Sequence, residues 1–219
     1  MVGKWHAGTA TPDHTPLGRG YDTSLFYFDG FNDYWSEEWI GSCAGSTNST
    51  LTDLWNGAGP AVGLNNSRAC TAANHSSSSC VFEDDLFTQR LLDTLDEHDP
   101  RVPLFFFYAP HSVHAPQEAP QAYFDRFSFI EWPPRQRYSA QVNYIDTMIG
   151  AVVDKLKAKG MFNNTLIVVT ADACTSHIAQ NNPAHCAHRP PQTHPIITRD
   201  DVMRPFSLTP HRTAARCRT

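Results

Sequence analysis

The sequence predicts an α/β fold, and three segments carry that expectation. Pro103-Leu104-Phe105-Phe106-Phe107-Tyr108-Ala109 is a short, unbroken apolar run bounded by prolines, as expected of a strand covered on both faces. Tyr138, Val142, Ile145, Ile149, Val152 and Leu156 recur at helical spacing, and Thr165 to Thr170 form a second strand-like run. Strand, long helix and strand make a βαβ unit, so the sheet is expected to be mostly parallel with a right-handed crossover.

Along the chain, residues 1 to about 40 hold a Gly-, Lys- and His-containing segment and an aromatic cluster from Phe26 to Trp35. Residues 41–82 are rich in Ser, Asn, Gly and Ala, and read as a long loop excursion with little regular structure. Glu83-Asp84-Asp85 then places negative charge at a helix start, with Leu86, Leu91, Leu92 and Leu95 on one broad face and Asp99-Pro100 as its stop. The long helix closes with Lys155, Lys157 and Lys159 in its last turns and Gly160 after them. In such a sheet the ligand crevice lies at the carboxyl ends of the strands. His111 and His114 follow the first run and Asp172 follows the second, so these residues are expected there.

Composition narrows the function classes. A length of 219 residues suits one α/β domain or a large piece of a bigger one. A formal charge of −5 gives no reason to expect nucleic acid. No apolar run approaches the roughly 20 residues needed to span a bilayer. Asn48, Asn65, Asn74 and Asn163 each open an Asn-x-Ser/Thr sequon, and three of them share the loop-like region with Cys43, Cys70 and Cys80. Disulfides there could staple a loop with little core of its own. These features point to the secretory route, lysosomal or extracellular, although no signal peptide follows Met1.

The chemistry begins with Gly3-Lys4-Trp5-His6-Ala7-Gly8. Glycine admits close backbone approach, lysine supplies a fixed positive charge, and histidine moves a proton near neutral pH, a combination suited to an oxyanion. The segment resembles the Gly-Lys-Trp-His-Leu-Gly signature of the sulfatase family, and Arg19-Gly20-Tyr21-Asp22 is similar to the family's Arg-Gly-Phe-Asp. His111-Ser112-Val113-His114-Ala115-Pro116 resembles the segment ending in Ser-Val-His-x-Pro, which gives His114 the position of the family histidine beside the substrate sulfate; His111 receives no role. Asn163-Asn164-Thr165, the apolar run and Thr170-Ala171-Asp172 resemble a further motif whose Asp and following Asn bind calcium. Here Ala173 and Cys174 follow Asp172, so the motif breaks off at once. Ser36 resembles a position where a hydroxyl contacts sulfate, and otherwise reads as a turn residue.

The resemblance, nearest in motif texture to arylsulfatase B-type enzymes, implies an alkaline-phosphatase-like α/β/α sandwich with a mostly parallel sheet, here an internal fragment lacking its N-terminal part. It also implies calcium and a cysteine oxidised to formylglycine, acting on a sulfated small molecule or glycan. On that match Lys4 neutralises developing charge, His6 takes the proton that drives sulfate elimination, and His114 helps the leaving alcohol. Lys4, His114 and Ser36 would touch the substrate, and Asp172 would ligate the metal. None of the six cysteines stands in Cys-x-Pro-x-Arg, so the chain as given is expected to be inactive. Two other readings stand beside it: a phosphoesterase of the alkaline-phosphatase superfamily, and a non-catalytic secreted glycoprotein or anion-binding isoform.

The domain expectation is a partial catalytic domain over 1–172 and a non-family tail over 173–219. The tail is rich in His, Pro and Arg and poor in apolar residues, so it is expected to be poorly ordered and to stem from another reading frame or exon junction. Cys174, His177, Cys186 and His188 have zinc-ligand chemistry without a recognised finger spacing.

Overall fold

The protein is described by a computed structural model over residues 1–41, 49–64, 69–75 and 79–171. The chain divides into two compact units, Met1–Asn164 and Thr165–Thr219. The centre of the first is three parallel strands, β1 (Val2–Lys4), β2 (Leu25–Tyr27) and β7 (Tyr108–Ala109), with β1 in the middle. A hairpin of β5 (Trp55–Asn56) and β6 (Gly59–Pro60) adds antiparallel to β2, giving the order β6-β5-β2-β1-β7. A separate antiparallel ribbon pairs β3 (Glu38–Gly41) with β4 (Ser49–Thr52). The region read as an irregular excursion thus contains strands β4, β5 and β6. Gly57, at φ +62, supplies the left-handed turn that closes the second hairpin.

The sheet is held by apolar burial on both faces of β2, where Leu25, Phe26 and Tyr27 are each at most 2% exposed. Helix α1 (Glu83–Glu97) packs on β1 and β2, burying Phe87, Leu91 and Leu95. Helix α3 (Pro133–Ala158) lies against α1 and the short α2 (Gln121–Asp125). Tyr34, Trp35, Cys70, Phe82 and Tyr144 form a buried cluster, and each large side chain in it contributes about 1.5–3 kcal/mol. A Cys70–Cys80 disulfide ties the intervening segment to that cluster. No helix among the described residues is long and apolar enough to cross a membrane.

Three elements depart from expectation. The run from Pro103 becomes strand only at Tyr108 and Ala109, because among the described residues β1 is its sole neighbour and the ladder reaches back only to Val2 N–H on Phe107 O. Phe105 is 77% exposed in consequence. No strand is formed over residues 166–171. The expected second strand of the βαβ unit is therefore not formed there, since an apolar run becomes a strand only beside a hydrogen-bonding partner. On α3 the buried positions are Ala140, Gln141, Tyr144 and Leu156, whereas Val142 is exposed. Tyr138, Ile145, Ile149 and Val152 of the expected stripe are half-buried and Leu156 is buried, so the stripe lies on the inward side with Val142 as its exception.

Gly3 sets the spacing of the two strands that matter most. It has φ +96, and a Cβ on it would overlap the carbonyl oxygen of Ala109 in the paired strand. Gly20 shares the φ, at +97, but faces open space. Gly3→Ala is therefore expected to cost more than about 4 kcal/mol and to abolish cooperative thermal unfolding, while Gly20→Ala costs about 1 kcal/mol. Equal melting temperatures for the two variants would show that the β1–β7 approach is not the constraint.

Candidate active site

The carboxyl ends of β1, β2 and β7 share one edge of the sheet, and the Lys- and His-bearing segments leave from it. Lys4 ends β1. Beyond it, Trp5 N–H and His6 N–H donate to the carbonyls of Tyr27 and Phe28 (3.0 and 3.1 Å), prolonging the ladder. At His6 the backbone turns left-handed, φ 44, and the exposed imidazole lies against Gly30, where a Cβ would stand 3.2 Å from Cε1. The indole N–H of Trp5 donates to the carbonyls of Gly8 (3.0 Å) and His14 (2.7 Å), which fixes the loop that follows.

After β7 the chain is held from beneath. Asp84 accepts the backbone N–H of His111 (2.8 Å) on one oxygen and that of Ser112 (2.9 Å) on the other. The His111 ring is buried, stacks on Tyr34 at 3.7 Å between centroids, and bonds through Nδ1 to Glu83 Oε2 (2.9 Å). Glu83 Oε1 accepts from Asn32 Nδ2 (2.6 Å). One turn further on, the carbonyl of His114 accepts the Tyr34 hydroxyl (2.9 Å) and the Gln141 amide (3.3 Å). The exposed His114 ring stacks with Phe31 at 6.0 Å, and its Nδ1 lies 2.8 Å from the Ala115 carbonyl. A carbonyl only accepts, so Nδ1 carries a proton and Nε2 is the nitrogen that can exchange one.

The structure thus gathers Lys4, His111 and His114. Burial pushes His111 well below the usual imidazole range, and the charges of His114 and Lys4 push the same way. The Gly30–Phe31 turn links the two exposed imidazoles, Gly30 touching His6 and Phe31 touching His114. Ser36 is buried, and its hydroxyl and N–H both go to Asp33 Oδ1 (3.0 and 2.8 Å), the geometry of a turn residue. Asn74 and Asn163 are exposed; Asn48 and Asn65 lie outside the described residues. So do Asp172 and the candidate zinc ligands Cys174, His177, Cys186 and His188. Among the described residues no group of three or more His, Cys, Asp or Glu side chains is arranged to hold a metal ion. Glu83, Asp84, Tyr34, Gln141 and Asn32 carry the support of the site, and the sequence hinted at none of them beyond an acidic helix start.

A family model described as Sulfatase matches residues 1–200. Arylsulfatase J of Mus musculus is 31% identical over 175 residues, which cover 78% of this chain and 26% of that protein. Two crystal structures of Ps i-CgsB, one in complex with k-i-k-neocarrahexaose, are similar with a TM-score of 0.57 in both cases. Their identity is 21% and 22%, over 75% of this chain and 34% of theirs, and that likeness shows a shared α/β fold. The chain therefore spans 26% to 34% of the length of these proteins.

The buried Glu83–His111 pair has a consequence for pH. Burial raises Glu83 well above its usual 4.5 and lowers His111 well below 6.5, so the folded pair holds its one proton on the carboxyl side. The unfolded chain loses the Glu83 proton above about pH 4.5, so this residue makes stability fall as pH rises. His111 acts oppositely up to about 6.5, and the two slopes offset each other between those values. Above 6.5 Glu83 acts alone, and stability falls as pH rises toward its raised folded value. Burial raises Asp53, Asp84 and Asp85 as well, so each also makes stability fall as pH rises above about 3.8. Glu83→Gln, which keeps the acceptor for Asn32 and offers an N–H to His111, is expected to gain in stability on the wild type as pH rises from 5.5 to 7.5. Urea unfolding at both pH values measures this, and a variant weaker by the same amount at each would mean that the pair is ionised.

Proposed function

The chain belongs to the sulfatase family, and from that premise we propose that Lys4, His6 and His114 form the oxyanion site of a sulfuric ester hydrolase. The observation that supports the proposal is that the segments bearing Lys4, His6 and His114 leave the same carboxyl edge of neighbouring parallel strands, with Lys4 and His114 both close enough to act on His111. In this reading the Lys4 ammonium compensates the charge that grows on non-bridging sulfate oxygens. His114, with Nδ1 anchored on Ala115, exchanges a proton through Nε2 with the leaving alcohol. His6, on the other side of the Gly30–Phe31 turn, takes the proton whose removal releases sulfate. Ser36 serves the turn at Asp33 in this reading, and Asp172 is the carboxylate proposed for calcium; no step is routed through the ion.

The nucleophile is the missing part. The sequence contains no Cys-x-Pro-x-Arg segment in which formylglycine would form. This chain by itself is accordingly an anion-binding form of the site, and turnover is a property of the longer relatives. The Cys70–Cys80 bridge and the exposed Asn74 and Asn163 support a glycosylated protein of the secretory route, lysosomal or extracellular.

Titration of the full chain with inorganic sulfate, followed by the ring-proton NMR signals of His6 and His114, is expected to show saturable binding. Lys4→Ala should weaken it at least about tenfold, the scale of one charge-assisted contact. The wild-type chain should release no sulfate from an aryl sulfate. Sulfate binding unaffected by Lys4→Ala, or steady release abolished by His114→Ala, would overturn the anion site or the missing nucleophile respectively.

A further inference from the structure

Between α2 and α3 the chain turns apolar rings toward water rather than toward the core. Phe127 and Phe129 lie 6.1 Å apart, and Trp132 stands immediately before α3. Phe129 is 76% exposed and Trp132 45%, while Phe127 and Ile130 are half-buried. A single exposed ring is ordinary, but several on one short tip mark a surface that meets something else.

The tip is held in place by its own backbone. Phe127 N–H donates to the Phe124 carbonyl (3.0 Å), Ser128 N–H to that of Asp125 (3.3 Å), and Ile130 N–H to that of Phe127 (2.9 Å). Gln136 closes it from α3, its N–H on the Trp132 carbonyl (3.1 Å) and its side-chain amide on the Phe124 carbonyl (3.4 Å). Arg126 is fixed at the base, 4.6 Å over the Tyr123 ring and 2.8 Å from Asn143 Oδ1. Arg126 before the tip, and Arg135 and Arg137 after it, are all exposed. Against these stand Asp125, which accepts the Gln121 amide (2.8 Å), and Glu131. The tip thus has a local positive excess in a chain of net charge −5.

We propose that the segment from Phe127 to Trp132 is a peripheral anchor that seats on an anionic phospholipid surface, with Phe129 and Trp132 in the headgroup layer and the arginines on lipid phosphates. Aromatic rings favour that layer, and each basic residue near an anionic surface adds about fivefold in affinity. The negative remainder of the chain is repelled by the same surface, so the molecule approaches it tip first. A protein partner needs roughly 800 Å² per side from about 20–30 residues, which this tip does not offer; a bilayer needs only a few apolar side chains at its boundary. Lys4, His6 and His114 take no part in this contact.

The test is sedimentation of the full chain with vesicles of phosphatidylcholine containing about one-third phosphatidylserine, at roughly physiological salt. Phe129→Ser and Trp132→Ser should each weaken binding at least about tenfold, the scale of one buried aromatic side chain. Phe129 is largely in water and Ser is a favoured residue ahead of a helix, so both variants fold; equal circular-dichroism melting curves check this. Arg135→Gln should weaken binding about fivefold, and pure phosphatidylcholine should bind less than the mixed vesicles. Brominated lipid should quench tryptophan fluorescence in the wild type but not in Trp132→Phe. Phe105→Ser, which alters another exposed ring, should change binding less than twofold. Absence of vesicle binding, or binding indifferent to Phe129→Ser and Trp132→Ser, overturns the anchor. Equal loss in Phe105→Ser overturns it in favour of general apolar adhesion, and binding indifferent to phosphatidylserine and to Arg135→Gln overturns the anionic surface. A dimer abolished by Phe129→Ser, without vesicle binding, overturns it in favour of a second copy of the chain.

Discussion

The loop that carries His114 is placed by two carboxyl groups that water does not reach. Glu83 and Asp84 open helix α1, and both are fully buried. Asp84 accepts two successive backbone N–H groups of the loop, and Glu83 is bonded to the His111 ring and to the Asn32 amide. Burying such groups is costly unless their oxygens are hydrogen-bonded, and here the partners come from the chain that must be positioned. The same bonds that satisfy the two carboxyl groups define the path of residues 111–114. Tyr34 adds the upper support, stacking on His111 while its hydroxyl holds the His114 carbonyl.

A second constraint acts across the sheet. Lys4 and His114 come together because β1 and β7 are parallel neighbours, and their close approach depends on Gly3 lacking a side chain. Hydrogen bonding from β1 onto β2 continues past the strand to Phe28, which carries His6 to the same edge. Helix α3 contributes from behind. Gln141 bonds both Tyr34 and His114, and Tyr144 donates to Asp85 (2.6 Å), so the helix and the site are joined through polar contacts inside an apolar layer.

Much of this was visible in one dimension. The α/β class, the helix from Glu83, the long helix ending near Lys159, and the signature around Lys4 and His6 were all legible, because periodicity and short motifs are local properties. The limits were also physical. Glu83-Asp84-Asp85 has the form of a solvated acidic cap, and only the packing of α1 against the His111 loop turns it into buried scaffolding. The aliphatic stripe on α3 marks the inward side of the helix, yet its most deeply buried positions include Gln141 and Tyr144, whose polar bonds no periodicity shows. Apolar runs such as Leu104–Phe107 and Leu166–Val169 specify a strand only where a partner edge exists.

What the sequence by itself determined is the set of chemical groups and the local shapes that bear them: lysine, two histidines, a glycine that permits close approach, and the helices. Tertiary structure decided which groups meet. Strand order, parallel pairing and the burial of Glu83 and Asp84 bring Lys4 beside His111 and His114. The reason is that proximity between residues distant in the chain depends on how sheets and helices pack, and no local spacing encodes it.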